Sequence, residues 1–166
     1  CPACDGLGVA QFFDPARIVV HPELSLAAGA VRGWDRRNAY YFQLIASLAK
    51  HYAFNVDTTW NELGEKIRQA VLHGSGNEVI AFTYLTESGG RSQRKHKFEG
   101  IVPNLERRYR ETESQAVKEE LAKFISNRAC QECGGARLNR AARNVFVAEQ
   151  PLTHITQLPV DESLAF

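Results

Sequence analysis

Apolar residues recur at helical spacing along several stretches of this chain. Tyr40, Tyr41, Leu44, Ile45, Leu48 and Tyr52 fall on one face between Arg37 and Ala53, which predicts an amphipathic helix there. Thr59-Trp60-Asn61-Glu62 has the capping-box pattern. It predicts a second helix running through Ile67, Val71 and Leu72 and ended by Gly74. Val79–Leu85 and Arg91–Phe98 change to a shorter period, with Ser88-Gly89-Gly90 as the turn between them, so a β-hairpin is expected. A short helix is expected at Glu106–Arg110. Thr112-Glu113-Ser114-Gln115 then opens another helix, with Val117, Leu121, Phe124 and Ile125 on one face. Residues 9–35 are broken by Pro15, Pro22, Gly29 and Gly33 and read as loops and short strands. Asn144–Ala148 alternates like a strand, and Pro159-Val160 starts a terminal helix through Leu164 and Phe166. Helices and a hairpin without a βαβ rhythm give an α+β fold.

Cysteine placement divides this pattern. Cys1-Pro2-Ala3-Cys4 opens the chain, Cys130-Gln131-Glu132-Cys133 lies near its end, and there are no other cysteines. Two Cys-x-x-Cys clamps supply the four thiolates of a tetrahedral zinc site. A redox Cys-x-x-Cys needs one pair, and disulfide frameworks belong to small, Cys-dense secreted chains. One shared Zn2+ at Cys1, Cys4, Cys130 and Cys133 would staple the two ends. The expected organisation is then a first knuckle at 1–8, an α+β insertion at 9–129, and a second knuckle with a return strand and helix at 130–166. Glycines follow both clamps, so the halves read as related knuckles. Four thiolates close the metal's shell, which makes the zinc structural.

Charge adds a surface reading. The net charge is +1, so no global field pulls the chain onto nucleic acid, and any such binding must come from local patches. Arg91, Arg94, Lys95 and Lys97 form one basic run on the hairpin, where a β-ribbon can lie along phosphates. Arg107, Arg108 and Arg110 surround Tyr109, although Glu106, Glu111 and Glu113 stand ready to pair with them internally. Arg32, Arg36 and Arg37 surround Trp34, and Arg137, Arg140 and Arg143 follow the second clamp. The five histidines are scattered without ligand spacing, and no phosphate-binding loop, nucleophile elbow or His-Glu-x-x-His appears. No catalytic residue is therefore expected within the chain. No apolar run approaches the roughly 20 residues of a membrane span. Without methionine, and opening on a metal ligand, it reads as a piece of a longer protein.

Several stretches together resemble one family. They are Cys1–Gly8, His21-Pro22-Glu23-Leu24-Ser25-Leu26, Gly33-Trp34-Asp35-Arg36-Arg37-Asn38, Val71–Gly76, Phe98–Tyr109 and Cys130–Leu138. The family is UvrA, the damage-recognition ATPase of bacterial excision repair. The resemblance covers essentially the whole chain and implies the zinc module and insertion domain of the first ABC half. It implies zinc at the four cysteines and a DNA-facing role for the insertion as a whole; mechanically, an insertion on a zinc staple can work as a movable jaw. For the parent protein it implies a cytoplasmic, dimeric ATPase that binds damaged double-stranded DNA and loads UvrB. ATP and UvrB would engage regions outside this chain. The first knuckle also resembles the Cys-x-x-Cys-x-Gly-x-Gly repeat of DnaJ-type chaperones, a protein-interaction module, but Arg137 stands where the second knuckle's later glycine would be.

Overall fold

The computed structural model describes residues 1–85 and 90–166. In chain order its elements are β1 (Val9–Phe13), α1 (Pro15–Ile18), α2 (Ala39–Tyr52), α3 (Glu65–His73), β2 (Val79–Leu85), β3 (Arg91–Lys97), α4 (Ile101–Glu111), α5 (Gln115–Ala122), β4 (Ile125–Ala129), α6 (Arg140–Arg143), β5 (Phe146–Val147), β6 (Gln150–Pro151), α7 (Leu152–Ile155) and α8 (Val160–Ala165). The mixture of helices and antiparallel pairs is the expected α+β. The chain forms two compact units, Cys1–Phe12 with Ser126–Phe166, and Phe13–Ile125.

The Phe13–Ile125 unit holds one apolar core. Ile45 and Leu48 of α2, Val71 of α3, Ile80 and Phe82 of β2, and Ile101 of α4 are all but fully buried. Trp34, Leu26 and Val31 fill it from the loop before α2. An isolated two-stranded hairpin is marginal in water, so β2 and β3 need a partner. They get one from α2. Its Ser47 hydroxyl accepts the Thr83 N–H at 3.2 Å while donating to the Gln43 carbonyl at 2.8 Å. The Asp14 N–H donates to the Phe124 carbonyl at 2.8 Å and draws the two ends of this unit together.

The helix boundaries follow local chemistry. Asn38 caps α2, its side chain accepting the Tyr41 N–H, and Ala53 ends it in the left-handed conformation. The helix expected from Thr59 starts later. Thr59 Oγ1 donates to Glu62 Oε2 at 2.9 Å, which closes only a 3-10 turn at Trp60–Glu62, and α3 begins at Glu65. The helix expected at Glu106–Arg110 begins at Ile101 instead. Pro103 sits in its first turn, where a missing N–H costs nothing. Conversely α5 stops at Ala122, and the chain reaches Cys130 through strand β4, which pairs with β1.

The hairpin register sets Phe82 opposite Arg94 and Ala81 opposite Lys95. Side chains alternate across a strand, so Arg94 and Lys95 emerge on opposite faces. Of the expected turn, Ser88 and Gly89 lie outside the described residues.

Candidate metal centre and nucleic-acid interface

The four thiols converge within one unit. Sγ atoms of Cys1, Cys4, Cys130 and Cys133 all lie within 4.8 Å of one another, and three of the four residues are buried. The Cys4 and Cys133 sulfurs are 3.8 Å apart. A tetrahedron with zinc–sulfur bonds of about 2.3 Å has edges of about 3.8 Å, so the donor set fits zinc.

The two knuckles are conformational copies. Counting from the second cysteine of each clamp, the first, second and fourth residues all have positive φ. They are Asp5 (48°), Gly6 (78°) and Gly8 (77°) in one, and Gly134 (60°), Gly135 (90°) and Arg137 (65°) in the other. Arg137 thus adopts the left-handed backbone that glycine holds in the first knuckle. The reverse exchange is closed, because a Cβ on Gly8 would lie 2.9 Å from the Gly135 carbonyl and 2.8 Å from Arg137 Cγ. The knuckles also exchange bonds reciprocally. The Cys130 N–H donates to the Gly8 carbonyl at 2.9 Å, and the Cys1 nitrogen donates to the Arg137 carbonyl at 2.6 Å.

Backbone N–H groups aim at the sulfurs, as outer-shell partners of a metal site do. Gly8 N–H donates to Cys4 Sγ at 3.2 Å. Burial still pushes the Cys4 thiol above its ordinary range. Burial pushes on Cys133 as well, but the N–H groups of Arg137 and Gly135 together with the Cys4 and Cys130 thiols outweigh it and bring that thiol down to about 7.

The basic residues divide into committed and uncommitted cations. Arg107 is committed: its Nε donates to Glu99 Oε1 at 2.8 Å, its second terminal nitrogen to Glu99 Oε2 at 3.1 Å, and its first to Glu111 at 3.2 Å. These carboxylates raise its pKa, and Arg107 in turn holds Glu99 below the usual carboxylate range. Arg37 chelates the buried Asp35 at 2.9 and 2.7 Å, Arg36 binds Asp57 at 2.9 Å, and Arg143 pairs with Glu132 at 3.3 Å. Lys97 donates to Asn77 at 2.8 Å. Arg108 lies 5.9 Å from the Tyr41 ring centroid. Arg94, Lys95 and Arg110 are exposed and make no ion pair among the described residues. Arg91 closes the register opposite Leu85.

Comparison with known proteins decides the family. A family model described as UvrA DNA-binding domain matches residues 14–123. The chain belongs to the UvrA DNA-binding domain family. It is 73% identical over 166 residues to UvrABC system protein A of Xanthomonas axonopodis pv. citri, and 57% identical to that of Salmonella typhimurium. All of this chain is covered in both, but only 17% and 18% of those proteins, so the chain spans about a sixth of the length of the curated relatives it matches. A solved structure, UvrA2 from Deinococcus radiodurans, superposes with a TM-score of 0.68 at 25% identity, covering 98% of this chain and 21% of that one. The UvrA DNA-binding match excludes all four cysteines, whereas the full-length alignments include them.

This UvrA DNA-binding domain carries a feature that the sequence reading missed. Aromatic rings form a closed circuit. Trp34 meets Tyr41 at 4.3 Å between centroids, Tyr41 meets Tyr40 at 5.2 Å, and Tyr40 meets Tyr84 at 6.4 Å. Tyr84 stacks with His96 at 6.3 Å, His96 with Phe82 at 4.3 Å, and Phe82 and Trp34 each meet Phe98. The rings come from α2, both hairpin strands and the flanking loops. Helical spacing assigned Tyr40 and Tyr41 to the core face; the only sequence signal to the contrary was two adjacent tyrosines, which cannot both point inward on a helix.

Proposed function

We propose that this domain binds damaged duplex DNA through salt-dependent phosphate contacts, as one module of the nucleotide excision repair protein UvrA. The observation that carries this reading is the family match across residues 14–123, because four convergent thiolates by themselves argue only for a structural metal. In this reading Cys1, Cys4, Cys130 and Cys133 hold one Zn2+. The ion supplies a closed, four-thiolate crosslink and no open position for chemistry. The intact protein is a dimeric, cytoplasmic ATPase of the ABC class that recognises lesions and loads UvrB through regions beyond these 166 residues.

Phosphate contacts position a protein on DNA without reading sequence, and deformability supplies the discrimination. That suits lesions that share distortion more than they share atoms. Arg94, Lys95 and Arg110 are the uncommitted cations, and Arg91, Lys97 and Arg108 complete the contact set. Arg107 enters it less readily, since Glu99 and Glu111 already neutralise it.

The test is a salt titration of DNA affinity in the full-length protein carrying Arg94→Ala plus Lys95→Ala. Each lost phosphate contact should reduce the log–log salt slope by about 0.9 and weaken all sequences alike. An unchanged slope and an unchanged preference for damaged DNA would sink the hairpin's role. A flat slope in the wild type would favour the chaperone-like polypeptide binder instead.

A further inference from the structure

All the rings of the aromatic circuit except the buried Phe82 line a cleft of about 260 Å³, which Lys97 and Arg107 also line. Its rim residues Tyr40 and Tyr84 wall a second cleft, of about 340 Å³, which contains Ser92 and Arg94. Complete small-molecule sites run to roughly 300–1,000 Å³, so the first cleft suits a single flat ring. Tyr40 is 58% exposed although it is a large aromatic on the first turn of α2. Its ring is inclined 34° to that of Tyr84 at 6.4 Å between centroids, so α2 and β2 each bring one tyrosine ring to both clefts. Tyr84 is held in place, since its hydroxyl lies 2.7 Å from His96 Nε2. Glu99 also lines the first cleft, but Arg107 occupies both of its oxygens.

We propose that this aromatic cleft receives one unstacked nucleobase of a distorted duplex, with Tyr40 and Tyr84 as the stacking faces and Arg94 on the adjoining phosphate. The inference rests on the DNA-binding reading above and deepens it. Stacking on tyrosine is sequence-tolerant because every base has a π-face, and Arg94 adds a contact to the backbone that every nucleotide carries. A fully paired duplex keeps its bases inside and offers this cleft nothing. A bulged or damaged step has already met much of the unstacking cost, so the cleft favours distortion over sequence.

The experiment uses the full-length protein and two duplexes, one fully paired and one with a single bulged nucleotide carrying 5-iodouracil. Irradiation should crosslink the bulged base to the peptide containing Tyr40 or Tyr84. Tyr40→Ala should lower the ratio of bulged to paired affinity by about 5- to 150-fold, the worth of one base–aromatic stack. Tyr40→Phe should retain the ratio, because it keeps the ring. Crosslinks confined to other peptides, or a Tyr40→Ala ratio within about twofold of wild type, would overturn the inference. If the wild type binds paired duplex with a steep salt slope yet fails either test, only this inference falls. If it shows no salt-dependent binding, the proposed function falls with it.

Discussion

Chelation of the proposed zinc is the most informative perturbation of this architecture. The buried core of the Phe13–Ile125 unit contains no cysteine, and the four cysteines pack with one another as a separate small cluster. Structural zinc contributes roughly 10–16 kcal/mol of apparent binding free energy in small finger peptides, whereas a whole domain is stable by only about 5–15 kcal/mol. If the larger unit depended on the metal, its removal would therefore abolish that unit's melt. If the core stands alone, removal should leave the melt nearly in place. The assay is supplied by the chain. Both tryptophans, Trp34 and Trp60, lie in the larger unit and are only 3% and 6% exposed, and the five tyrosines lie there too. Intrinsic fluorescence thus reports that unit and is blind to the knuckles. Helices of 14, 9, 11 and 8 residues also lie there, against 4, 4 and 6 in the other unit. On chelation we expect unshifted tryptophan emission, a cooperative fluorescence melt within a few degrees of the loaded protein, and roughly three quarters or more of the far-ultraviolet helical signal retained. A red-shifted emission with no cooperative melt would refute the reasoning.

Two further outcomes test the packing and the charges. A Cβ on Gly100 (φ 94°) would lie 2.5 Å from the backbone of both His73 and Gly74, so Gly100→Ala must separate the end of α3 from the start of α4. A loss of about 3 kcal/mol or more is expected, seen as a fall of at least about 10 °C in the fluorescence melt; a smaller fall contradicts the close approach. Asp35 is buried, and its hydrogen bond with the Arg37 guanidinium leads the causes that hold its pKa below the ordinary carboxylate range. A depressed folded pKa contributes stability above the unfolded value of about 3.9 and loses it as pH falls through the folded one. Asp35→Ala should therefore cost about 1.5–3 kcal/mol at pH 7, with the gap to wild type closing below about pH 4 in denaturant melts. A gap independent of pH would show that the ion pair is not its source.

Local signals in the chain were sufficient for α2, the hairpin and the four thiols. The apolar stripe of α2 repeats over 14 residues, and two Cys-x-x-Cys spacings with no spare cysteine admit few alternatives. Boundaries were harder wherever two local signals competed. Thr59 and Glu62 satisfy a capping pattern but bond to each other, and Pro103 looks like a helix breaker until it is placed in a first turn. Strand β4 escaped notice because Phe124 and Ile125 continue the helical spacing of α5. The strand exists only because β1, more than a hundred residues earlier in sequence, pairs with it.

What the sequence determined by itself is the chemistry of the side chains: four thiolates of a kind that suits a metal, and basic runs of a kind that suits phosphates. What only the tertiary structure decided is which of them remain available. Arg107 and Arg110 are alike as sequence, yet Glu99 lies where it closes around Arg107, while Arg110 is exposed. Arg94 and Lys95 are neighbours in sequence, yet the strand sends them to opposite faces. The aromatic cleft needs α2 and the hairpin side by side before it has walls at all. Ligand type is a property of a side chain, but vacancy and shape are properties of distances, and distances between remote residues are set only when the core closes.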